Sequence, residues 1–270
     1  MPMKDLNDGG VLVVGRGRMG GALLDGWIAQ GLRPASLWIE DPHPGDRLLA
    51  LAAQGAHVNA PRPARPAVVL LAVKPQMMAE VLAGLAALPT DVPVLSVAAG
   101  VSLQQYGAAL GDRPIIRAMP NTPALVGRGM TAIIGNDHAG PGHLALATRM
   151  FSTVGEVVAL EAEAQIDAVT AISGSGPAYL FLFAEALEQA ARTLGLSEVL
   201  ARQLARGTVG GAVELMVASG RDASELRHEV TSPAGTTATA LAVLMRPDGL
   251  SELIARAAEA ARDRSVALGQ

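Results

Sequence analysis

The chain has 270 residues, half of them hydrophobic but only 3% aromatic, and its formal net charge is -4 with no basic block. That length suits one large domain or two modest ones, and apolar mass made of Ala, Val and Leu favours helices and buried parallel strands over a β-sandwich. The charge balance argues against nucleic acid and anionic membranes as partners, and the lack of cysteine excludes a disulfide framework, a thiolate nucleophile and a cysteine metal site. The opening residues "MPMKDLNDGG" carry no hydrophobic signal segment, and no apolar run approaches the ~18 residues a bilayer span needs, so a cytoplasmic location is expected.

In chain order, "VLVVG" (11–15) is a short branched apolar run ending in Gly, the pattern of a buried parallel strand. "GRGRMGGALLDGWIAQG" then opens a helix that stops at Gly31. Further strands follow at "SLWIEDP", "AVVLLAVKP", "DVPVLSVAAG", "RPIIRAMPNTPA" and "GMTAIIG", with helical stretches such as "PQMMAEVLAGLAAL" and "GHLALATRMFSTVG" between them. Strands alternating with helices imply right-handed crossovers and a doubly wound parallel sheet, an α/β class with helices on both faces. After about Leu160 the strand signals stop. "AQIDAVTAISGSGPAYLFLFAEALEQAARTLGL", "SEVLARQLARGTVGGAVELMVASG", "DASELRHEV" and "LSELIARAAEAARDRSVALG" all read as helix, the second with a Ser start and a Gly stop. The boundary is expected between Glu161 and Gln165, dividing the chain into 1–162 and 163–270. "TVGGAVELMVA" is apolar around most of its circumference. A helical half of roughly 110 residues could hardly bury that surface alone, so a partner subunit is the simple explanation.

Gly15, Gly17 and Gly20 form a GxGxxG loop with Arg16, Arg18 and Met19 between them. Alone this is a weak signal, but here a strand precedes it and a helix follows, the context of dinucleotide binding. Gly15 permits the tight turn, Gly17 lets backbone approach a pyrophosphate, and Gly20 allows close helix–strand packing. The helix N-terminus offers free N–H groups and a partial positive charge to the phosphates. An acidic residue at the end of the second strand usually holds the ribose 2′-hydroxyl of NAD and repels the 2′-phosphate of NADP. Glu40 and Asp41 stand there, while Arg16, Arg18 and Arg47 would attract a phosphate instead, so NADH and NADPH are both candidates, with a lean to NADH.

Four more segments carry chemistry: "AVKPQ" (72–76), "RAMPNTPA" (117–124), "ISGSGPAY" (172–179) and "VTSPAGTTATAL" (230–241). With "GRGRMGGAL" they are similar, in order and across essentially the whole chain, to the pyrroline-5-carboxylate reductase family. "MPNTPA" and "SPAGTT" are far more specific than the glycine loop. The resemblance implies reduction of 1-pyrroline-5-carboxylate to proline with NADPH or NADH, the last step of proline synthesis. It also implies an N-terminal Rossmann-type domain followed by an all-helical domain that binds substrate and dimerises, so that the protein is a homodimer at least and, as often in the family, a pentamer of dimers. Two departures stand out: Ala234, where many members carry Gly, and Arg18, which is often Asn or Lys.

A small cyclic imine bearing a carboxylate suits such a chain. A carboxylate fits the first turn of a helix, where N–H groups are unpaired. "SPAGTTATAL" supplies that start, with Ser232 as its expected cap, Gly235 leaving the backbone accessible, and Thr236 and Thr237 placing hydroxyls in the turn. By match to the family motif, Thr237 is the catalytic candidate, hydrogen-bonded to the imine nitrogen, and the residues before it hold the carboxylate. An ordinary capped helix would show the same residue types, since Ser and Thr are common at helix starts. Ala72, Val73, Lys74 and Pro75 end a strand at the carboxyl edge of the sheet, where ligands bind in open α/β folds, and would line the nicotinamide ribose. Met119, Pro120 and Asn121 form a stiff loop suited to cap the nicotinamide. Ser175 and Gly176 belong to a glycine-broken stretch that the family places near substrate. The five His residues show no metal spacing.

Two other functions compete. A β-hydroxyacid dehydrogenase of the hydroxyisobutyrate type shares the layout but needs a lysine in the helical domain. Here Tyr179 stands at the expected place, and the only lysines are Lys4 and Lys74. A nucleotide sensor without turnover would need the glycine loop and not the hydroxyl-rich one.

Overall fold

The computed structural model describes Met3 and residues 6–269. After a first helical turn, α1 (Leu6–Gly9), the chain forms β1 (Val11–Val14), α2 (Gly17–Ala29), β2 (Leu37–Glu40), α3 (Asp46–Ala53), β3 (His57–Val58) and β4 (Val68–Leu71). Next come α4 (Met78–Leu85), β5 (Val94–Ser96), α5 (Leu103–Leu110), β6 (Ile115–Met119), β7 (Gly129–Gly135), α6 (Pro141–Phe151) and β8 (Gly155–Ala159). The strands lie in one sheet in the order β3-β2-β1-β4-β5-β6-β7-β8.

Both faces of this sheet are covered, which explains why its central strands read as unbroken apolar runs rather than alternating ones. Val11, Val13, Val68 and Leu70 point to one side, where Leu23, Leu24 and Trp27 of α2 and Met150 and Phe151 of α6 pack. Leu12, Val14, Val69 and Leu71 point to the other, against Met78, Leu82 and Leu85 of α4 and Tyr106 and Leu110 of α5. The Trp27 indole N–H donates to the Met150 carbonyl at 2.9 Å, so the largest buried side chain leaves no polar atom unpaired. Helix α5 starts at a capping box, Ser102 with Gln105, that its sequence encodes.

The sheet departs from the expected all-parallel form. β7 runs antiparallel to β6, in the register Ala118 to Ile133, and β8 pairs parallel with β7. The β6–β7 connection is a single 3-10 turn, Thr122–Val126, too short for a helical crossover, so the chain can only reverse. Strands β3 and β8 were not expected from the sequence. β3 is two residues long, and β8 is a half-exposed edge strand without a strong apolar run.

Beyond β8 lie α7 (Gln165–Val169), a π-helical turn (Thr170–Gly174), α8 (Gly176–Thr193), α9 (Glu198–Ser219), α10 (Ala223–Glu229), α11 (Thr236–Leu244) and α12 (Leu250–Leu268). Helix α9 begins and ends as its residues predict. The Ser197 hydroxyl accepts from Leu200 N, and Gly220 closes it in the left-handed conformation, φ 62°. Packing divides the chain into two compact units. One runs to Ser175 and includes the end of the chain from Ala261, and the other is Gly176–Ala260.

The second unit is held by α8 against α9, with Ala201 and Ala205 buried. Its α11 and α12 bury no residue, and Phe181 (63%), Leu182 (65%) and Val243 (64%) lie open. The continuous helical stretch Gln165–Thr193 is long and apolar enough to cross a membrane by length and composition. This differs from the expectation of no such run, because Ser, Gly and Glu interrupt the apolar residues without interrupting the helix.

Candidate active site

The sheet order reverses between β1 and β4, which opens a crevice at their carboxyl ends. The glycine loop sits there. Gly15 has φ +80°, and a Cβ on it would meet Val73 Cγ1 at 2.6 Å and the Ala72 carbonyl oxygen at 2.9 Å. Gly20 lies against Ala72 Cβ. The turn after β4 therefore packs directly on the loop after β1. Helix α2 starts with no side-chain cap, so its first-turn N–H groups face the crevice without a partner from a capping side chain.

A cleft of about 730 Å³ opens beside this turn, lined among others by Arg16, Gly17, Arg18, Asp41, His43 and Leu125. Its size and its uncapped helix start fit a dinucleotide. A Cβ on Gly17 would meet nothing nearer than the Ala72 carbonyl oxygen at 3.7 Å, so the backbone there is open to a phosphate. Ala72, Val73, Lys74, Pro75, Met119, Pro120 and Asn121 are not part of this lining. They end or follow β4 and β6 at the same carboxyl edge of the sheet.

The two candidate carboxylates have different partners. Asp41 accepts from Arg16 N at 3.1 Å and from His43 N at 2.9 Å, which fixes it over the glycine loop. Glu40 is instead paired with Arg62, whose Nε and Nη2 donate to its two oxygens at 2.5 and 2.8 Å. That bond to Glu40 holds the Arg62 guanidinium above its ordinary pKa, against the opposing effect of burial. Arg47, expected near a phosphate, is paired with Asp25 at 2.6 Å. Of the three arginines, Arg16 and Arg18 line the cleft.

Asn121 is committed within its own unit. Its amide N–H donates to the Ser173 carbonyl at 3.1 Å, and its amide oxygen accepts from Met130 N at 2.9 Å. The side chain thus ties the β6–β7 loop to the π-helical turn. Met119 packs on the same turn, where a Cβ on Gly174 would lie 2.8 Å from the Met119 methyl. Ser175 closes the turn by donating its N–H to the Thr170 carbonyl at 2.8 Å, and Gly176 starts α8. Nearby, Arg117 on β6 forms an ion pair with Glu163, which also accepts from Leu103 N at 2.7 Å.

In the helical unit, the start of α11 corrects one expectation. The cap position is Gly235, not Ser232, and no side chain caps the helix. Ser232 Oγ lies 2.3 Å from where a Cβ on Gly235 would be, so a side chain there would have to displace the Ser232 hydroxyl. Ala234 adopts the left-handed conformation, φ +58°, which only Gly takes freely. The first-turn N–H groups at Thr236 and Thr237 thus have no capping side chain, and the half-buried Thr237 lies in that turn.

A strand, GxGxxG turn and helix at the switch point of a doubly wound sheet, with a cleft of matching size, define a dinucleotide-binding protein of the oxidoreductase type. Residues 10–100 match the family described as NADP oxidoreductase, coenzyme F420-dependent, and residues 163–268 match pyrroline-5-carboxylate reductase dimerisation. The pyrroline-5-carboxylate reductase of Pseudomonas aeruginosa is 38% identical over 265 residues, 96% of this chain and 97% of that one. That of Synechocystis is 47% identical over 203 residues, 75% of each chain. Among solved structures, a pyrroline-5-carboxylate reductase from Coxiella burnetii is similar with TM-score 0.90 at 34% identity, covering 98% of this chain and 100% of that one. The Plasmodium falciparum enzyme, solved with NADP bound, is similar with TM-score 0.83 at 26% identity, over 98% of this chain and 100% of that one. The chain belongs to the pyrroline-5-carboxylate reductase family.

Proposed function

We propose that this protein reduces the C=N bond of 1-pyrroline-5-carboxylate to give L-proline, the last step of proline biosynthesis, with NADH or NADPH as hydride donor. The observation that carries the proposal is the start of α11, a helix with no side-chain cap whose first turn bears two threonine hydroxyls, in a chain of this family. Neither rival function needs such a turn.

The dinucleotide, when bound, supplies the hydride that the imine carbon takes up. The first-turn N–H groups of α2 hold its phosphates, with Gly15, Gly17, Arg18, Met19 and Gly20 forming the loop. Asp41 holds the ribose of the adenosine half. Ala72, Val73, Lys74 and Pro75, with Met119, Pro120 and Asn121, would hold the nicotinamide half at the carboxyl edge of the sheet. The substrate carboxylate sits at the first turn of α11, bounded by Ser232, Gly235 and Thr236, and Ser175 and Gly176 keep the part in substrate binding that the family motif implies. The Thr237 hydroxyl hydrogen-bonds the ring nitrogen, donating to the neutral imine or accepting from the N–H of the iminium. Threonine is a poor acid, so the proton that completes the amine arrives with the iminium form of the substrate or from water, and Thr237 positions the nitrogen as its charge changes.

The chain works as a homodimer at least, assembled through 163–270 and extended to a decamer of five dimers, in the cytoplasm, without nucleic acid or membrane. The open apolar surface of α8, α9, α11 and α12 and the dimerisation match over 163–268 support a second copy as its cover.

The test is loss of reduced-nicotinamide absorbance with purified protein. Oxidation is expected only when the cyclic imino acid is present, and equal oxidation with hydroxyisobutyrate semialdehyde but none with the imine would overturn the proposal. Thr237→Ala is expected to lower kcat/KM for the imine by on the order of 10²-fold while leaving cofactor affinity and melting temperature unchanged, and Thr237→Ser to retain most activity. If Thr237→Ala turns over like the parent, the hydroxyl only starts a helix.

A further inference from the structure

We infer that Tyr106 is a positioning residue for the nicotinamide half of the coenzyme, acting through Ser96 on the loop 97–100. In the sheet, β5 lies between β4 and β6. Ser96, the last residue of β5, pairs with Leu71 on one side and Arg117 on the other. The loop after it therefore starts level with Ala72 on one flank and Ala118 on the other, between the two segments assigned above to the nicotinamide. Val97 N–H donates to the Leu71 carbonyl at 3.0 Å, so the loop leaves the sheet in register with β4. Ala98 N–H then donates back to Ser96 Oγ at 3.3 Å, a turn closed by a hydroxyl.

Tyr106 holds that hydroxyl in place. Its phenol oxygen lies 2.5 Å from Ser96 Oγ, and both residues are buried. Burial pushes the phenol pKa up, against the opposing effects of the Ser96 bond and the Arg117 charge, so Tyr106 stays protonated. The ring is fixed in turn by α5, whose first residue, Leu103, donates its N–H to Glu163 at 2.7 Å, and Glu163 pairs with Arg117 beside Ser96. A buried tyrosine usually finds some partner for its hydroxyl, so the bond alone would be structural. The place of the partner gives it more to do, because Ser96 ends the strand at the edge where ligands bind in open α/β folds. Without the phenol oxygen, Ser96 Oγ is free to turn away from Ala98 N, and the loop loses its fixed position beside the nicotinamide. The glycine loop follows β1, two strands away, so the adenosine half is untouched. This assignment rests on the dinucleotide reading of the crevice.

The experiment is calorimetric titration of NADH and of ADP-ribose, which lacks the nicotinamide, with no imine present. Tyr106→Phe keeps the ring in its core and removes only the oxygen. The variant is expected to raise the Kd for NADH by about 3- to 10-fold, the size of one buried hydrogen bond, and to leave the Kd for ADP-ribose at the parent's value. Ser96→Ala should weaken NADH in the same selective way. Adding Tyr106→Phe to Ser96→Ala should cost little more, because the phenol then has no hydroxyl to act through. An equal rise for both ligands, or no rise for either, overturns the positioning role and leaves Tyr106 a core residue. Fully additive losses in the double variant overturn the route through Ser96. If the parent binds neither ligand, the dinucleotide reading itself fails and this inference with it, an outcome distinct from a changed or unchanged ratio. Thermal melts identify the folded variants. If Tyr106→Phe does not fold, Ser96→Ala alone decides, with a parent-like ratio of the two Kd values counting against the role.

Discussion

Two glycines of the same loop should fail in different ways when each becomes alanine. Gly15 has φ +80°, and its new methyl would sit 2.6 Å from Val73 Cγ1 and 2.9 Å from the Ala72 carbonyl oxygen. The left-handed conformation costs a non-glycine residue roughly 1–2 kcal/mol, and forcing a methyl against backbone costs roughly 1–3 kcal/mol more. Together these predict about 2–5 kcal/mol of lost stability and a fall in melting temperature of roughly 5–15 °C for a domain of this size. Gly17, at φ +42°, bears a similar backbone strain, but its methyl would meet nothing nearer than 3.7 Å. Gly17→Ala should therefore melt only about 2–8 °C lower, from the backbone strain alone. Its methyl would instead occupy the approach path of the pyrophosphate, so the Kd for NADH and NADPH should rise by about 10-fold or more. Thermal melts without cofactor, followed by calorimetric titration of both coenzymes, separate the two effects. Gly15→Ala melting with the parent, or Gly17→Ala binding coenzyme with the parent's Kd, would refute the division of labour.

Three further outcomes follow from the same coordinates. Asp41→Asn should tighten NADPH relative to NADH by on the order of 10-fold in the ratio of Kd values, whereas Glu40→Gln, which only weakens the pair with Arg62, should leave that ratio unchanged and lower the melting temperature; a ratio that moves with Glu40 instead would show that the wrong carboxylate faces the ribose. Ala234→Gly should raise stability by up to about 1 kcal/mol, because relief of the left-handed strain exceeds the added freedom of the unfolded chain, and denaturant melts of parent and variant check it. Light scattering should show no folded monomer in the parent, and paired substitution of Phe181→Asp and Val243→Asp should reduce the assembled fraction; an active, well-folded monomer of the parent at low concentration would remove the case for obligate association.

Much of the architecture is written in neighbouring residues. "VLVV" and "VVLL" are apolar at every position because both faces of their strands are covered, and that pattern survives any change of partner. The glycine spacing at 15, 17 and 20 is legible because a strand, a turn and a helix start are each specified within a few residues. The ends of α9 are likewise local, a hydroxyl before the helix and a left-handed Gly after it. Motif order carried the family, since "MPNTPA" and "SPAGTT" need no knowledge of contacts.

What the tertiary structure alone decided depends on groups far apart in the chain. Glu40 and Asp41 are adjacent and alike in sequence, yet Arg62, 22 residues away, takes the first and leaves the second to the glycine loop. Arg47 has the charge to meet a phosphate, but Asp25 holds it first. Asn59 in "HVNAP" resembles any turn residue until the sheet brings it beside Asp41. The direction of β7 was set by the short connection after β6, which leaves no length for a crossover helix. Ser232 looked like a helix cap because its residue type is right, but the left-handed turn at Ala234 moves the cap to Gly235. In each case composition supplied the right atoms, and only the fold determined which partner each of them reached, because a charge or a hydroxyl acts over a few ångströms of space and not along the chain.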